Sequence, residues 1–137
     1  MKNNLEDLIN LLKKLRAPNG CEWDKQQTHD SLIPYLLEEV HEVIEAIEIK
    51  DYNLLKEELG DLLLHIVFQA ELANEANQFN IYDSIANINN KLINRHPHIF
   101  SDKNNIQWEA GNWEKQKQKE KKRNSILDGV PKSLPAL

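Results

Sequence analysis

The sequence predicts an all-α fold. Apolar residues recur at helical spacing along most of the 137-residue chain, and no segment alternates long enough to suggest a sheet. Residues that cap or break helices stand where such helices would begin and end: Asn4, Asp51, Asn80, Pro18-Asn19-Gly20 and Pro97. With 40% hydrophobic residues, the chain is long and apolar enough to bury one core.

Five helices are expected, at about residues 5–16, 28–50, 52–77, 81–95 and 106–123. In the second, Pro34 marks either a kink or the true first turn. The third carries the run LGDLLLHIVFQAELA, which is apolar almost all round and therefore expects neighbours on several sides. Loops are expected at 21–27 and 96–105. We expect residues 1–123 to form one helical domain and residues 124–137 to form an extended C-terminal tail.

Composition and charge exclude several classes of function. The formal net charge of -5 argues against a nucleic-acid-binding surface, because such surfaces are basic. It leaves a phosphate substrate open, since a bound metal ion reverses the charge of an acidic pocket. No apolar run approaches the roughly 20 residues that span a membrane, the N-terminus lacks a signal-peptide core, and the single cysteine, Cys21, cannot form an intramolecular disulfide. A cytoplasmic protein without membrane or nucleic-acid partners is expected.

Two acidic pairs share one helical spacing. Glu39 and Glu42 lie three residues apart on the second predicted helix, and Glu58 and Asp61 repeat that spacing on the third. If the two helices pack antiparallel through their apolar faces, the four carboxylates meet. An all-oxygen site of this kind suits Mg²⁺ when phosphate oxygens complete the octahedron. Acidic residues on helices more often form solvated faces, so the spacing alone leaves both interpretations open.

Asp61 is the most informative of these acids. It follows Gly60 and opens the apolar run LLLHIVF, so we expect it beside buried surface. A carboxylate there needs a compensating cation, and no lysine or arginine lies within one turn of Asp61 on the same helix. This position favours a bound metal ion.

At these residues the sequence resembles the MazG family of nucleoside triphosphate pyrophosphohydrolases, whose signature pairs ExxE with ExxD. The segments that extend the resemblance are CEWDKQQTHDSL, EELGDLLLHIVFQAELA, KLINRHPHIF, WEKQKQKEK and SLPAL, with Asn94 replacing an arginine of the family pattern. The resemblance covers about residues 5–137. It is closest to the first MazG module of the two-module bacterial enzymes, so we expect either a natural one-module protein or a fragment.

The resemblance implies a MazG-like helical bundle completed by dimerisation, either as a homodimer or as a dimer-of-dimers tetramer. It also implies Mg²⁺-dependent hydrolysis of nucleoside triphosphates to the monophosphate and pyrophosphate, a nucleotide-pool house-cleaning activity, with Mn²⁺ as an alternative ion. The implied metal ligands are Glu39, Glu42, Glu58 and Asp61. Glu42 and Glu38 are the candidates for activating the attacking water, although Glu38 has a solvent-facing alternative.

Several residues are candidates for holding the substrate. Lys91 and Arg95 match family residues that contact phosphates, and a salt bridge to the acidic cluster is the alternative. For Trp113 and Lys117 the resemblance suggests nucleotide contact, whereas an aromatic residue on a polar helix commonly anchors it to the core. In the loop at 21–27, Trp23 could stack on a base or anchor the loop, and Lys25 or Gln27 is expected nearer the substrate.

Other classes of protein fit the sequence less well. A di-iron carboxylate bundle needs two Glu-x-x-His motifs, and only Glu38-x-x-His41 is found on the two acidic helices. The Gly-led acidic box of Nudix hydrolases is absent. A non-catalytic or weakly active MazG module serving nucleotide binding or oligomer assembly remains the alternative function, and a purely structural helical dimer is the third.

Overall fold

The computed structural model describes residues 2–101, and all of their regular structure is α-helical, as predicted. The helices are α1 (Leu5–Leu15), α2 (Glu22–Gln26), α3 (Ile33–Glu48), α4 (Tyr52–Glu75), α5 (Ile81–Arg95) and α6 (Pro97–Phe100). The chain divides within α5 into two compact units, Met1–Ser84 and Ile85–Leu137. The predicted helix at 106–123 and the predicted tail at 124–137 lie outside the described residues.

Helix α1 begins and ends as its local sequence dictates. The side chain of Asn4 accepts a hydrogen bond from the backbone N–H of Asp7, and the Asp7 side chain accepts one from the backbone N–H of Asn4. Ile9 and Leu12 are buried on the face that packs against α4. In the turn that follows, a Cβ atom at Gly20 would overlap the carbonyl oxygen of Leu15, so this close approach of the backbone requires glycine.

Helices α3 and α4 pack along each other as a hairpin, joined by the short connection at 49–51. Lys50 takes a left-handed conformation, with φ at 59°. The N–H of Lys50 donates to the carbonyl of Ile47, and the N–H of Asp51 donates to that of Ala46. These two bonds close the end of α3 as a Schellman motif. Asp51 then caps α4, as predicted, by accepting a hydrogen bond from the N–H of Leu54 at 3.1 Å.

The core of the first unit lies against the C-terminal half of α4. Its buried residues are Ile9, Leu12, Leu32, Val43, Ala46, Val67, Phe68, Ala70, Leu72, Ala73 and Ile81. The N-terminal half of α4 is different, because Leu59, Leu63 and Ile66 are each more than 40% exposed. The apolar run was expected to have neighbours on several sides. Within residues 2–101 that expectation is met only from Val67 onwards.

Two segments predicted as loops contain short helices, α2 and α6, and the second predicted helix begins at Ile33 instead of about residue 28. Thr28 and Ser31 explain the late start. Each side-chain oxygen accepts a hydrogen bond from the other residue's backbone N–H, at 2.8 and 3.1 Å. Side-chain bonds of this kind compete with helix formation. Pro34, which lacks an N–H, therefore occupies the first turn of α3 and is not a kink.

Candidate metal centre

Three carboxylates of the α3–α4 hairpin converge. Glu39 of α3 and Glu58 and Asp61 of α4 each offer one oxygen, and these oxygens all lie within 4.8 Å of one another. The pairing follows from the two helical spacings and the short connection, which runs the chain back along itself. The juxtaposition that the two acidic pairs predicted is therefore present for three of the four acids.

The burial of the cluster differs from the expectation built on Asp61. Asp61 is exposed, whereas Glu39 and Glu58 are half-buried. The apolar run that follows Asp61 is itself largely exposed up to Ile66, so it does not surround the carboxylate. The unsatisfied group belongs instead to Glu39, whose Oε2 atom is buried and has no hydrogen-bond partner among the described residues. The carboxylate that requires a compensating cation is therefore Glu39, and not Asp61 as predicted.

The negatively charged carboxylates of the cluster repel one another. The pKa of Glu58 is raised above its ordinary value, first by a side-chain hydrogen bond with Glu39, then by partial burial, and further by the negative charges of Glu39, Asp61 and Glu57. Carboxylates that share a proton in this way resist full ionisation. A divalent cation would remove that repulsion, and its preference for oxygen ligands matches the donor set.

The remaining acids of the predicted site lie on α3. Glu42 is half-buried one turn beyond Glu39, outside the group of three carboxylates, and Glu38 is exposed. His65 lies one turn after Asp61 on α4, and its Nδ1 atom is buried without a hydrogen-bond partner in the described part of the chain. Burial lowers the pKa of His65, and the charge of Asp61 partly opposes this. The imidazole beside the cluster is therefore kept neutral.

An aromatic pair lies beside the cluster. Trp23 of α2 and Tyr35 of α3 meet edge to face, with ring centroids 5.6 Å apart. Trp23 is 47% exposed, so it is not a buried anchor of its segment. Tyr35 precedes Glu39 by one turn of α3, which places it on the same side of the helix as the carboxylate. Tyr35 was not among the predicted site residues, although its spacing from Glu39 is visible in the sequence.

The other predicted substrate residues of α2 and its flank make local contacts. The Nζ of Lys25 lies 2.6 Å from a carboxylate oxygen of Glu22 and donates to the carbonyl of Pro18. The amide of Gln27 donates to the carbonyl of Trp23 and accepts a hydrogen bond from the hydroxyl of Ser31. Both side chains therefore hold the segment that carries Trp23.

Lys91 and Arg95 belong to the second unit, where both lie on α5 four residues apart and are partly exposed. Trp113 and Lys117 lie outside the described residues. In the part of the chain that the structure describes, no helix is both long and apolar enough to cross a membrane.

Comparison with known proteins agrees with this architecture. A family model described as the MazG nucleotide pyrophosphohydrolase domain matches residues 27–100. The chain is 48% identical over 134 residues to a Thermotoga maritima protein named nucleoside triphosphate pyrophosphohydrolase/pyrophosphatase MazG, covering 96% of this chain and 52% of that protein. It is 44% identical over 141 residues to the Escherichia coli K12 nucleoside triphosphate pyrophosphohydrolase, covering 98% of this chain and 54% of that protein. The chain thus spans about half the length of these relatives.

The same fold is found in a solved structure. The crystal structure of a mazG-related protein from Thermotoga maritima superposes with a TM-score of 0.66 at 24% sequence identity, covering 83% of this chain and 99% of that one. The family match includes the whole α3–α4 hairpin with its three clustered carboxylates. The chain belongs to the MazG nucleotide pyrophosphohydrolase family.

Proposed function

We propose that this chain hydrolyses nucleoside triphosphates to the nucleoside monophosphate and pyrophosphate, with Mg²⁺ held by the carboxylates of the α3–α4 hairpin. The observation that carries the proposal is the convergence of Glu39, Glu58 and Asp61 within 4.8 Å, on helices of a family described as nucleotide pyrophosphohydrolases. The names of the relatives from Thermotoga maritima and Escherichia coli support the same activity.

The donor set fits a hard divalent cation. Glu39, Glu58 and Asp61 supply three carboxylate oxygens, and the unpartnered Oε2 of Glu39 is the atom with most to gain from a metal ligand bond. We assign Glu42, one turn along α3, as the fourth ligand. When bound, Mg²⁺, or Mn²⁺ in its place, supplies neutralisation of the triphosphate charge and lowers the pKa of a coordinated water. Burial lowers the pKa of His65, which favours its uncharged form beside the acidic cluster.

Other residues of this chain are proposed to accept the proton of the attacking water and to bind the nucleobase. Glu38, exposed and one turn before Glu42, is the proposed acceptor of the proton from the attacking water, and Glu42 is the alternative. The exposed edge-to-face pair of Trp23 and Tyr35 is the proposed surface for the nucleobase. If so, Tyr35→Leu raises KM more than it lowers kcat, and an unchanged KM would remove Tyr35 from the substrate site.

The phosphate contacts are proposed on the family resemblance. Lys91 and Arg95 carry the positive charge that a triphosphate needs, and the guanidinium group of Arg95 is suited to bidentate binding. Trp113 and Lys117 retain their proposed contact with the nucleotide. Lys25 and Gln27 act more indirectly, because their hydrogen bonds hold the segment that bears Trp23.

We also propose that two chains associate through the N-terminal half of α4. The proposed location is the cytoplasm, where nucleoside triphosphates are found. Leu59, Leu63 and Ile66 present an exposed apolar face there. A contiguous exposed apolar surface on a helix next to a functional site is typical of an interface between subunits.

The proposal is tested with a panel of nucleoside triphosphates and Mg²⁺, in which pyrophosphate and orthophosphate are measured separately. We expect pyrophosphate as the first product, complete loss of turnover on adding EDTA, and loss of at least about 100-fold in kcat for Asp61→Ala. Orthophosphate as the first product, or turnover that survives EDTA, would refute the mechanism. Nucleotide binding with little or no turnover in the wild-type chain would instead support a non-catalytic or weakly active MazG module that serves nucleotide binding or oligomer assembly.

A further inference from the structure

The short helix α2, which carries Trp23, has little apolar packing of its own. It has five residues, and among the helices described in the first unit it alone has no buried residue. A helix of this length is not stable by itself, and without a buried side chain it gains little from the hydrophobic effect. Its position therefore depends largely on polar contacts with the elements around it.

Arg16 provides the first of these contacts. Its Nη1 atom donates to the backbone carbonyl of Asp24, the middle residue of α2. Its Nε and Nη2 atoms donate to the two carboxylate oxygens of Glu75 on α4, at 2.6 and 2.8 Å. A guanidinium group in a two-point contact with a carboxylate has a fixed direction. Arg16 therefore holds Asp24 at a defined place relative to α4.

Gln69 of α4 provides the second contact. Its Nε2 atom donates to the carbonyl of His29 at 3.3 Å, and its Oε1 atom accepts a hydrogen bond from the Nδ1 of the same residue. Two residues later, the hydroxyl of Ser31 donates to the Oε1 of Gln27, and the Nε2 of Gln27 donates to the carbonyl of Trp23, both at 2.8 Å. Hydrogen bonds along this segment therefore connect α4 to the backbone of Trp23.

Both contacts lie apart from the carboxylate cluster and from the ring of Trp23. Gln69 follows Asp61 by eight residues on α4, which corresponds to about 12 Å along the helix axis. The hydrogen bonds that start from Arg16 and Gln69 end on backbone carbonyls of α2. The Trp23 ring is 47% exposed and meets Tyr35 edge to face. The ring surface is thus open to a ligand, while the backbone beneath it is held in place.

We infer that Arg16 and Gln69 are positioning residues for the nucleobase of the substrate, acting through the backbone of α2 on the ring of Trp23. The inference rests on the proposed function, in which Trp23 and Tyr35 bind the base. A binding surface that is ordered before the substrate arrives loses less conformational freedom on binding.

The size of the effect follows from the fraction of molecules in which α2 is correctly placed. If a substitution lowers that fraction to about one in five, KM rises about fivefold, because apparent affinity falls with the competent fraction. The value of kcat should change little, since saturating substrate selects the competent molecules and the chemistry takes place at the carboxylate cluster.

The test is a measurement of KM and kcat for pyrophosphate release from a nucleoside triphosphate with Mg²⁺, in the full chain. We expect Arg16→Met and Gln69→Leu each to raise KM at least about fivefold and to leave kcat within about twofold. Lys14→Met and Gln78→Leu, the same changes at exposed positions, should leave both constants unchanged. An unchanged KM in Arg16→Met or in Gln69→Leu would overturn the inference, and if one of the two does not fold the other decides.

Glu75→Gln separates positioning from loss of stability. It removes the charge that pairs with Arg16 and leaves the donor to the carbonyl of Asp24 in place. It should therefore destabilise the chain in urea unfolding while KM stays close to the wild-type value. A KM as high as that of Arg16→Met would show that KM follows stability, which overturns the inference.

A Trp23→Leu background tests whether both residues act through this ring. Trp23→Leu should itself raise KM, and Arg16→Met or Gln69→Leu added to it should raise KM no further, because residues that act through one another are not additive. A further rise of about fivefold in this background would overturn the inference. A wild-type chain that binds nucleoside triphosphates without releasing pyrophosphate refutes the proposed function alone, and the dissociation constants of the same variants then decide the inference.

Discussion

At the scale of single residues, Arg16 concentrates several contacts on one side chain. Its Nε and Nη2 atoms donate to the two carboxylate oxygens of Glu75, its Nη1 donates to the carbonyl of Asp24, and its guanidinium lies 5.5 Å from the ring centroid of Phe68. Its side chain is 11% exposed. This residue therefore connects α1 and α2 to the C-terminal end of α4, away from the carboxylate cluster.

We expect Arg16→Met to destabilise the chain by about 1–2 kcal/mol, because it leaves Glu75 and the carbonyl of Asp24 without their donor. The effect is no larger because the Glu75 side chain is 43% exposed and solvent screens the ion pair. Urea unfolding measures the change, with Lys14→Met, an exposed position of the same helix, as the matched control. Equal effects of the two substitutions on stability would show that the Arg16 hydrogen bonds do not stabilise the fold.

The Arg16–Glu75 ion pair makes the stability of the fold depend on pH. The hydrogen bond from Arg16 lowers the pKa of Glu75 in the folded state below its ordinary value of 4.5. Charged Glu75 therefore stabilises the fold above pH 4.5, and the contribution is lost as the pH falls from 4.5 through the lower, folded pKa. The stability difference between wild type and Glu75→Gln should accordingly shrink in that acid range, and a constant difference in urea unfolding would contradict the assignment.

At the scale of elements, helix ends decide the geometry of the hairpin that carries the site. Both α3 and α4 end in Schellman motifs with non-glycine residues, Lys50 and Asn77, at φ 59° and 58°. Asparagine tolerates the left-handed conformation better than lysine does. The α3–α4 connection therefore stores some strain at Lys50, one residue before the cap of α4.

We expect Lys50→Gly to stabilise the chain by about 0.5–1 kcal/mol, because glycine adopts a positive φ without the steric cost. Lys50→Val should destabilise it by about 1–2 kcal/mol, since a β-branched residue tolerates that conformation least. Thermal unfolding of the two variants and the wild type measures both the expected gain and the expected loss of stability. A Lys50→Val variant as stable as Lys50→Gly would show that the connection relaxes freely.

At the scale of the whole molecule, the uneven burial of α4 bears on assembly. Its C-terminal half carries the core, while Leu59, Leu63 and Ile66 remain exposed beside the carboxylate cluster. If two chains associate through this face, Leu63→Lys should shift the chain toward the monomer without unfolding it. Sedimentation measures the shift, and Tyr52→Lys, at an 83% exposed position of the same helix, is the control. An unchanged mass for Leu63→Lys would place the interface elsewhere.

Local features of this fold could be predicted from the sequence, and features that depend on neighbours could not. The caps at Asn4, Asp51 and Asn80 were predicted because each depends on hydrogen bonds within a few residues. The late start of α3 was missed because the side-chain oxygens of Thr28 and Ser31 each accept a hydrogen bond from the other residue's backbone N–H. The exposure of Asp61 was missed because burial depends on which helices pack against α4, and helical periodicity does not give that information.

The candidate site divides in the same way. The convergence of Glu39, Glu58 and Asp61 followed from spacing and a short connection, both visible in the sequence. The meeting of Trp23 with Tyr35 depends on how α2 packs against α3, and the unsatisfied Oε2 of Glu39 depends on what covers it. The clustering of three of the four predicted acids could thus be predicted from the sequence, whereas their burial could not.

The proposed function requires that the three clustered carboxylates hold the metal ion of a pyrophosphohydrolase. Its most direct test is pyrophosphate release from nucleoside triphosphates, as a function of Mg²⁺ concentration, by Glu39→Gln beside Glu45→Gln, an exposed position of the same helix. We expect at least about a 100-fold loss of kcat/KM for Glu39→Gln, with a higher Mg²⁺ requirement, and wild-type behaviour for Glu45→Gln. Equal activity and equal Mg²⁺ dependence of the two variants would contradict it.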